Sequence, residues 1–123
     1  MKRKGRRRQS SERVVECSFF IPIRRDANLS DGLPHGSKAW EQLDKAVYDL
    51  FEGMTAAPGY HRGFYRDPDT GQRVDDESRQ FIVAVPESRL DELRQVLADA
   101  CGWFFQKCIY LSIAGQVEFV KKP

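Results

Sequence analysis

Between Tyr60 and Arg79 the chain gathers the residue types that can do chemistry. His61, Arg62, Tyr65 and Arg66 precede a polar turn, and Asp75, Asp76, Glu77, Ser78 and Arg79 follow it. If strands flank that turn, their pairing brings an imidazole near a carboxylate, the arrangement that general acid–base chemistry needs. The arginines could hold an anion through paired N–H donors. Against this stands cross-strand ion pairing on a solvated hairpin. Strand alternation sends these side chains to both faces, which favours that plainer reading. No catalytic residue is expected there; if the hairpin has a role it is as a ligand-binding surface formed by His61, Arg62, Tyr65, Arg66, Asp76, Glu77 and Arg79, with the 24–36 loop near it.

Other chemistries find less support. The two histidines, His35 and His61, have no ligand partner at helical spacing. Counted from Asp67, position 6 of a calcium loop is Gln72 rather than glycine, and position 12 is Ser78 rather than glutamate. Arg62-Gly63-Phe64 is similar to the start of an RNA-recognition signature. Tyr65-Arg66-Asp67-Pro68 departs from it, and the residues fall on the second strand instead of the third. Cys17, Cys101 and Cys108 are odd in number and lack a C-x-x-C spacing, so no disulfide framework or cysteine metal site is expected. No metal and no cofactor are implied.

Four strands and two helices are predicted around this stretch. Val14 to Ile23 alternates as a strand, and 24–36 reads as a long loop containing a solvated His35. Ser37 is expected to cap a helix whose apolar stripe is Trp40, Leu43, Val47, Leu50, Phe51 and Met54, ending near Gly53. The turn Asp67-Pro68-Asp69-Thr70-Gly71 closes the hairpin. Phe81-Ile82-Val83-Ala84-Val85 reads as a central strand buried on both faces. Ser88 with Asp91 predicts the start of a second helix, with Leu90, Leu93, Val96, Leu97 and Ala100 inward and Gly102 at its end. Ile109, Leu111, Ile113, Val117 and Phe119 keep one alternating phase, with Gly115 at a bulge or bend.

That order, β-α-β-β-α-β, predicts a ferredoxin-like α+β fold, an antiparallel sheet with both helices on one face. The open face would carry Phe20, Ile82, Ala84 and Tyr110. Such an apolar face predicts a homodimer, or coverage by the 24–36 loop or a ligand. Phe51-Glu52-Gly53-Met54-Thr55, Gly63-Phe64-Tyr65, Asp76-Glu77-Ser78 and Phe105-Gln106-Lys107-Cys108-Ile109 resemble the skeleton of small uncharacterised bacterial α+β proteins. The resemblance covers about residues 14–120 and implies a compact domain without an assigned activity.

At 123 residues, 41% hydrophobic and 31% charged, the chain suits one globular domain. No apolar run reaches membrane-spanning length and no signal-peptide core is present, so a cytoplasmic location without a membrane partner is expected. Residues 1–12 are expected to form a disordered basic arm, and 13–123 a single α+β domain. Residues 1–8 hold six positive charges; the other 14 basic and 18 acidic side chains leave the body at −4. Nucleic-acid contact, if any, is thus assigned to Lys2, Arg3, Lys4, Arg6, Arg7 and Arg8. The leading expectation is a non-catalytic binding or regulatory module, recognising a small ligand or protein partner. The alternatives are a nucleic-acid-associated protein or a small enzyme with His61 as acid/base.

Overall fold

The computed structural model describes residues 12–123. The arm residues Lys2, Arg3, Lys4, Arg6, Arg7 and Arg8 lie outside the described residues. The elements are β1 (Val14–Pro22), α1 (Ser37–Phe51), β2 (Thr55–Ala56), β3 (His61–Arg66), β4 (Arg73–Pro86), α2 (Leu90–Trp103), β5 (Cys108–Ile113) and β6 (Gln116–Lys121). The fold is α+β: two helices and a six-stranded antiparallel sheet in the order β2-β4-β1-β5-β6, with β3 also paired to β4. The sheet thus has two strands more than the sequence predicts. The short β2 pairs with β4 at Ile82 and Phe81, on the strand to which β3 is joined farther along.

The sixth strand arises at Ala114-Gly115. Both residues have positive φ, 49° and 85°, which makes a two-residue hairpin turn of the kind that joins adjacent antiparallel strands. The chain reverses there and sets Ile113 opposite Gln116 and Tyr110 opposite Phe119. The single apolar phase expected through 109–119 is therefore corrected. Ile109, Leu111 and Ile113 are buried, but Val117 and Phe119 share the other face with Tyr110.

One face of the sheet builds the core. Cys17, Phe19 and Ile21 of β1, Phe81, Val83 and Val85 of β4, and Ile109, Leu111 and Ile113 of β5 pack with Leu43 and Val47 of α1 and Leu93, Val96, Leu97 and Ala100 of α2. Phe19 and Phe81 stack at 5.3 Å between ring centres. Burying side chains of this size contributes about 1.5–3 kcal/mol each, so this layer dominates stability. On the opposite face of β4, Ile82 is half-buried and Ala84 is exposed. The strand is not buried on both sides, because no element among the described residues covers that face.

The helix ends also differ from expectation. Gly36, not Ser37, is the N-cap of α1, and no side chain caps it. At its far end Glu52 takes the left-handed conformation, φ 67°, and donates its N–H to the Tyr48 carbonyl. A single 3-10 turn, Glu87–Arg89, leads into α2. Ser88 there donates from Nα and Oγ to Glu12 Oε1, at 3.3 and 2.5 Å, instead of capping the helix.

The segment 24–36 is folded back as an ordered arm. Arg24 bridges to Pro34, and Arg25 N–H donates to the Leu33 carbonyl. His35, expected in solvent, is half-buried edge-on against Phe104 and Trp40, with Nε2 2.8 Å from the Pro22 carbonyl. Burial pushes its imidazole below the ordinary value. Gln106 ties the same arm to the end of α2, donating from Nε2 to the carbonyls of Arg24 and Phe104.

The tip of the β3–β4 hairpin is fixed by the Asp67 carboxylate, which is 1% exposed. Its oxygens accept from the Asp69 and Thr70 amides within the turn. They also accept from Asn28 Nδ2 at 2.8 Å, and from Lys107 Nζ at 3.2 Å to each oxygen. Lys107 also reaches Asp69 Oδ2 at 2.6 Å. One carboxylate therefore joins the hairpin tip, the 24–36 arm and the entry to β5. The Asp69 amide first, then Lys107 and the Thr70 amide, hold the Asp67 carboxyl below the ordinary value against the opposing effect of burial.

Two outcomes follow for stability. Glu52→Gly removes the cost of a left-handed non-glycine residue and should raise the denaturation free energy by about 0.5–1 kcal/mol, read as a higher urea midpoint. Asp67 has a lowered folded-state pKa, so its contribution is complete above the unfolded value of about 4 and disappears as pH falls through the lower folded value. Thermal melts taken from neutral to acid pH should therefore show a shallower acid decline in Asp67→Asn than in the wild type, starting from a lower neutral melting temperature. Equal acid slopes would mean that this carboxylate does not anchor the hairpin.

Candidate functional site on the open face of the sheet

The register of β3 against β4 assigns each candidate residue to a face. His61 opposes Ser78, Gly63 opposes Asp76 and Tyr65 opposes Val74, all on the side away from the helices. Arg62 opposes Glu77, Phe64 opposes Asp75 and Arg66 opposes Arg73 on the helix side. The seven predicted site residues are thus divided: His61, Tyr65 and Asp76 share the open face, whereas Arg62, Arg66, Glu77 and Arg79 do not. Arg79 lies with its guanidinium 4.6 Å from the Trp40 ring centre and 5.0 Å from that of Phe81. There it roofs the core edge by cation–π contact.

An aromatic row crosses the open face. His61 meets Phe20 edge-on at 5.5 Å, Phe20 meets Tyr110 at 5.4 Å, and Tyr110 meets Phe119 at 5.8 Å. These centroid separations suit edge-to-face packing. Four strands contribute, and only the observed register sets the rings side by side. Tyr110 is 37% exposed and Phe119 60% exposed, so the row presents ring surface to whatever lies above it.

At the hairpin end the row gives way to an acidic corner. Burial, then the charges of Asp26, Asp76 and Asp67, push the Tyr65 hydroxyl up to about 12. It stays protonated at neutral pH and is available as a donor. Burial foremost, then the neighbouring Asp75, raises the Asp76 carboxyl above its ordinary value. Gly63 lies directly opposite, and a Cβ there would meet Asp76 Oδ1 at 3.4 Å, an ordinary contact. Cys108, on the same face, is a free thiol raised by burial.

The acid–base pair considered from sequence does not form. Among the described residues the side chains of His61 and Asp76 make no hydrogen bond to each other or to another group, and Glu77 is on the opposite face. His61 instead ends the aromatic row. What the face offers is exposed aromatic ring surface, a protonated phenol and the carboxylate of Asp76, while Lys107 opposes the charge of Asp67. Asp26, Lys107, Asn28 and Phe119 were not among the residues expected from the sequence to form a site. Asp26 lies in the 24–36 loop and Lys107 in the Phe105–Ile109 segment, and only tertiary contact shows that both meet the hairpin.

Two open clefts of about 540 and 600 Å³ flank Gly53 and Met54. Val14, Val15, Phe51, Ile82 and Val83 are among the lining of the first and Asp44, Lys45, Tyr48, Arg79 and Phe81 among that of the second, and neither includes the acidic corner. Among the described residues no group of three histidine, cysteine, aspartate or glutamate side chains is placed to hold a metal ion. No helix there is long and apolar enough to cross a membrane.

No protein-family model and no curated protein sequence matches the chain. Solved structures do. A phage SAM lyase in complex with S-methyl-5'-thioadenosine superposes with a TM-score of 0.62 at 14% identity, over 85% of this chain and 84% of that one. A phage SAM lyase in the apo state gives 0.58 at 15% identity, over 94% and 91%. At such identities the likeness concerns the fold. It corrects the expected resemblance to small uncharacterised bacterial proteins, and it overturns the reading as a non-catalytic module, because the matched fold is that of an enzyme.

Proposed function

We propose that this protein cleaves S-adenosylmethionine (SAM), releasing S-methyl-5'-thioadenosine from its open sheet face. The observation that carries the reading is the likeness, over most of both chains, to a lyase bound to that nucleoside. The chemistry of the face agrees with it. SAM is a sulfonium cation attached to adenosine, so the aromatic row of Phe20 and Tyr110 offers stacking surface and the acidic corner offers complementary charge.

The reaction asks little of a protein acid or base. When the substrate's own carboxylate oxygen attacks Cγ, the Cγ–S bond breaks and sulfur keeps the electron pair. The products are a neutral thioether and a five-membered lactone, and no proton moves. Opposite charges cancel along this path, so a dry, apolar floor favours the transition state over the separated ions. In this reading Asp76 holds the substrate's α-ammonium group and Tyr65 donates to its carboxylate or ribose. His61 is a packing residue of the row.

The sheet is read as a ferredoxin-like βαββαβ core whose second strand is interrupted into β2 and β3 and to which β6 is added. A second copy of the chain, as a homodimer, would lie over the exposed row and exclude water from it. The protein would work in the cytoplasm, where it meets SAM.

Incubation of the purified chain with SAM, followed by mass spectrometry, should give S-methyl-5'-thioadenosine and homoserine lactone in equal amounts. Absence of the nucleoside above a protein-free control overturns the reading. Asp76→Asn should lower kcat/KM by about 10- to 100-fold, the loss of one charge-assisted contact. Because Asp76 is raised, activity should begin to fall on the acid side above the ordinary carboxylate value of about 4. His61→Gln should leave the profile from about pH 6 to 8 unchanged; a lost limb there would make His61 a proton carrier.

A further inference from the structure

The other face of the β3–β4 hairpin has a different character. Arg62, Phe64 and Arg66 follow one another along one side of β3, opposite Glu77, Asp75 and Arg73. All six are exposed, Phe64 to 69%. The Arg73 guanidinium lies 4.2 Å from the Phe64 ring centre, and Arg73 also holds Asp75 at 3.0 Å. Arg66 donates to the Gly71 carbonyl at 2.9 Å. Among the described residues, Arg62 and Arg66 pair with no carboxylate. The hydrophobic core makes no use of this face, and the hairpin tip is held by Asp67 from elsewhere.

We propose that this strand face binds single-stranded nucleic acid, with Phe64 and its stacked Arg73 as a platform for a base and Arg62 and Arg66 as phosphate clamps on either side. Same-face neighbours on a strand are about 7 Å apart, so the two arginines stand about 13 Å apart with the ring between them. Arginine side chains are long and flexible enough to reach in from those positions toward the phosphates on either side of a base stacked on the ring. An aromatic ring adds stacking that every base can use. It adds nothing for an aliphatic acidic peptide, and a duplex keeps its bases out of reach. The surface is independent of the SAM-cleaving reading, because its residues point away from the open face.

Fluorescence anisotropy of a labelled oligothymidylate with the full chain tests this. Phe64→Ala should weaken binding about tenfold with little change in salt dependence. Arg62→Gln combined with Arg66→Gln should reduce the slope of log affinity against log salt by about 1.4, two phosphate contacts on a single strand. As these side chains are exposed, thermal melts should match the wild type. SAM cleavage, where present, should be unchanged. The proposal is overturned if these variants bind like the wild type while Arg6→Gln, Arg7→Gln and Arg8→Gln together abolish binding. It is equally overturned if polyglutamate competes as well as oligothymidylate at equal charge, or if the wild type does not bind.

Discussion

The register of β4 against β1 and β3, two of its three strand neighbours, determines to which face each side chain of the hairpin goes. β4 is 14 residues long. Its later part, Ser78 to Pro86, pairs with β1, and its earlier part, Arg73 to Ser78, pairs with β3. Ser78 is the pivot, opposite Pro22 on one side and His61 on the other, and it is buried. Alternation runs unbroken through the strand. Once Phe81, Val83 and Val85 face the helices, Arg73, Asp75, Glu77 and Arg79 must share their side, and Asp76 must not. A slip of one residue would turn the whole core outward, so the hydrophobic layer enforces the placement of the polar groups beyond it.

A long strand alone would leave its outer half as a hairpin of marginal stability. Here the tip is pinned by the buried Asp67 carboxylate, and its anchors, Asn28 and Lys107, are about forty residues away in sequence on either side. A buried carboxylate is tolerable only when its lone pairs are met and its charge is opposed. Two backbone amides, one side-chain amide and an ammonium group do this together. The same contacts hold the 24–36 arm beside Tyr65, which is why Asp26 contributes to the acidic corner. Fold and site are therefore coupled through a single polar cluster.

Much of this was legible in the sequence. The apolar stripe of α1, the inward face of α2 and the hairpin around Asp67-Pro68-Asp69-Thr70-Gly71 are strong local signals, and the structure contains all three. Ala114-Gly115 was harder to read. Glycine after alanine serves a bulge as well as a two-residue turn, and only the pairing of Tyr110 with Phe119 distinguishes them. The continuous run Phe81 to Val85 suggested burial on both faces, yet apolar composition cannot say whether a second layer exists to cover Ile82 and Ala84. Asp67 looked like a turn former, which it is, but its partnership with Lys107 has no sequence signature. The aromatic row was half visible: Phe20 and Tyr110 could be placed on the open face, whereas adding His61 and Phe119 required the register.

The same alternation explains why one cluster of candidate residues resolves into two surfaces. His61 through Arg79 looked like one ligand site because its histidine, arginines and carboxylates are adjacent along the chain. On a two-stranded ribbon adjacency in sequence means opposition in space, and residues two apart become neighbours. The open side of the ribbon collects Tyr65 and Asp76, close to Asp26 and Asp67, and becomes negative. The outer side collects Arg62, Arg66, Arg73 and Arg79 against Asp75 and Glu77, and becomes positive. Net charge over the stretch hides this division, and so does any reading that treats the hairpin as one patch. A ribbon with carboxylates gathered on one face and guanidinium groups on the other suits the two proposals together, because a ligand on either face lies nearer to that face's own charges than to those opposite, and the Coulomb term falls with distance.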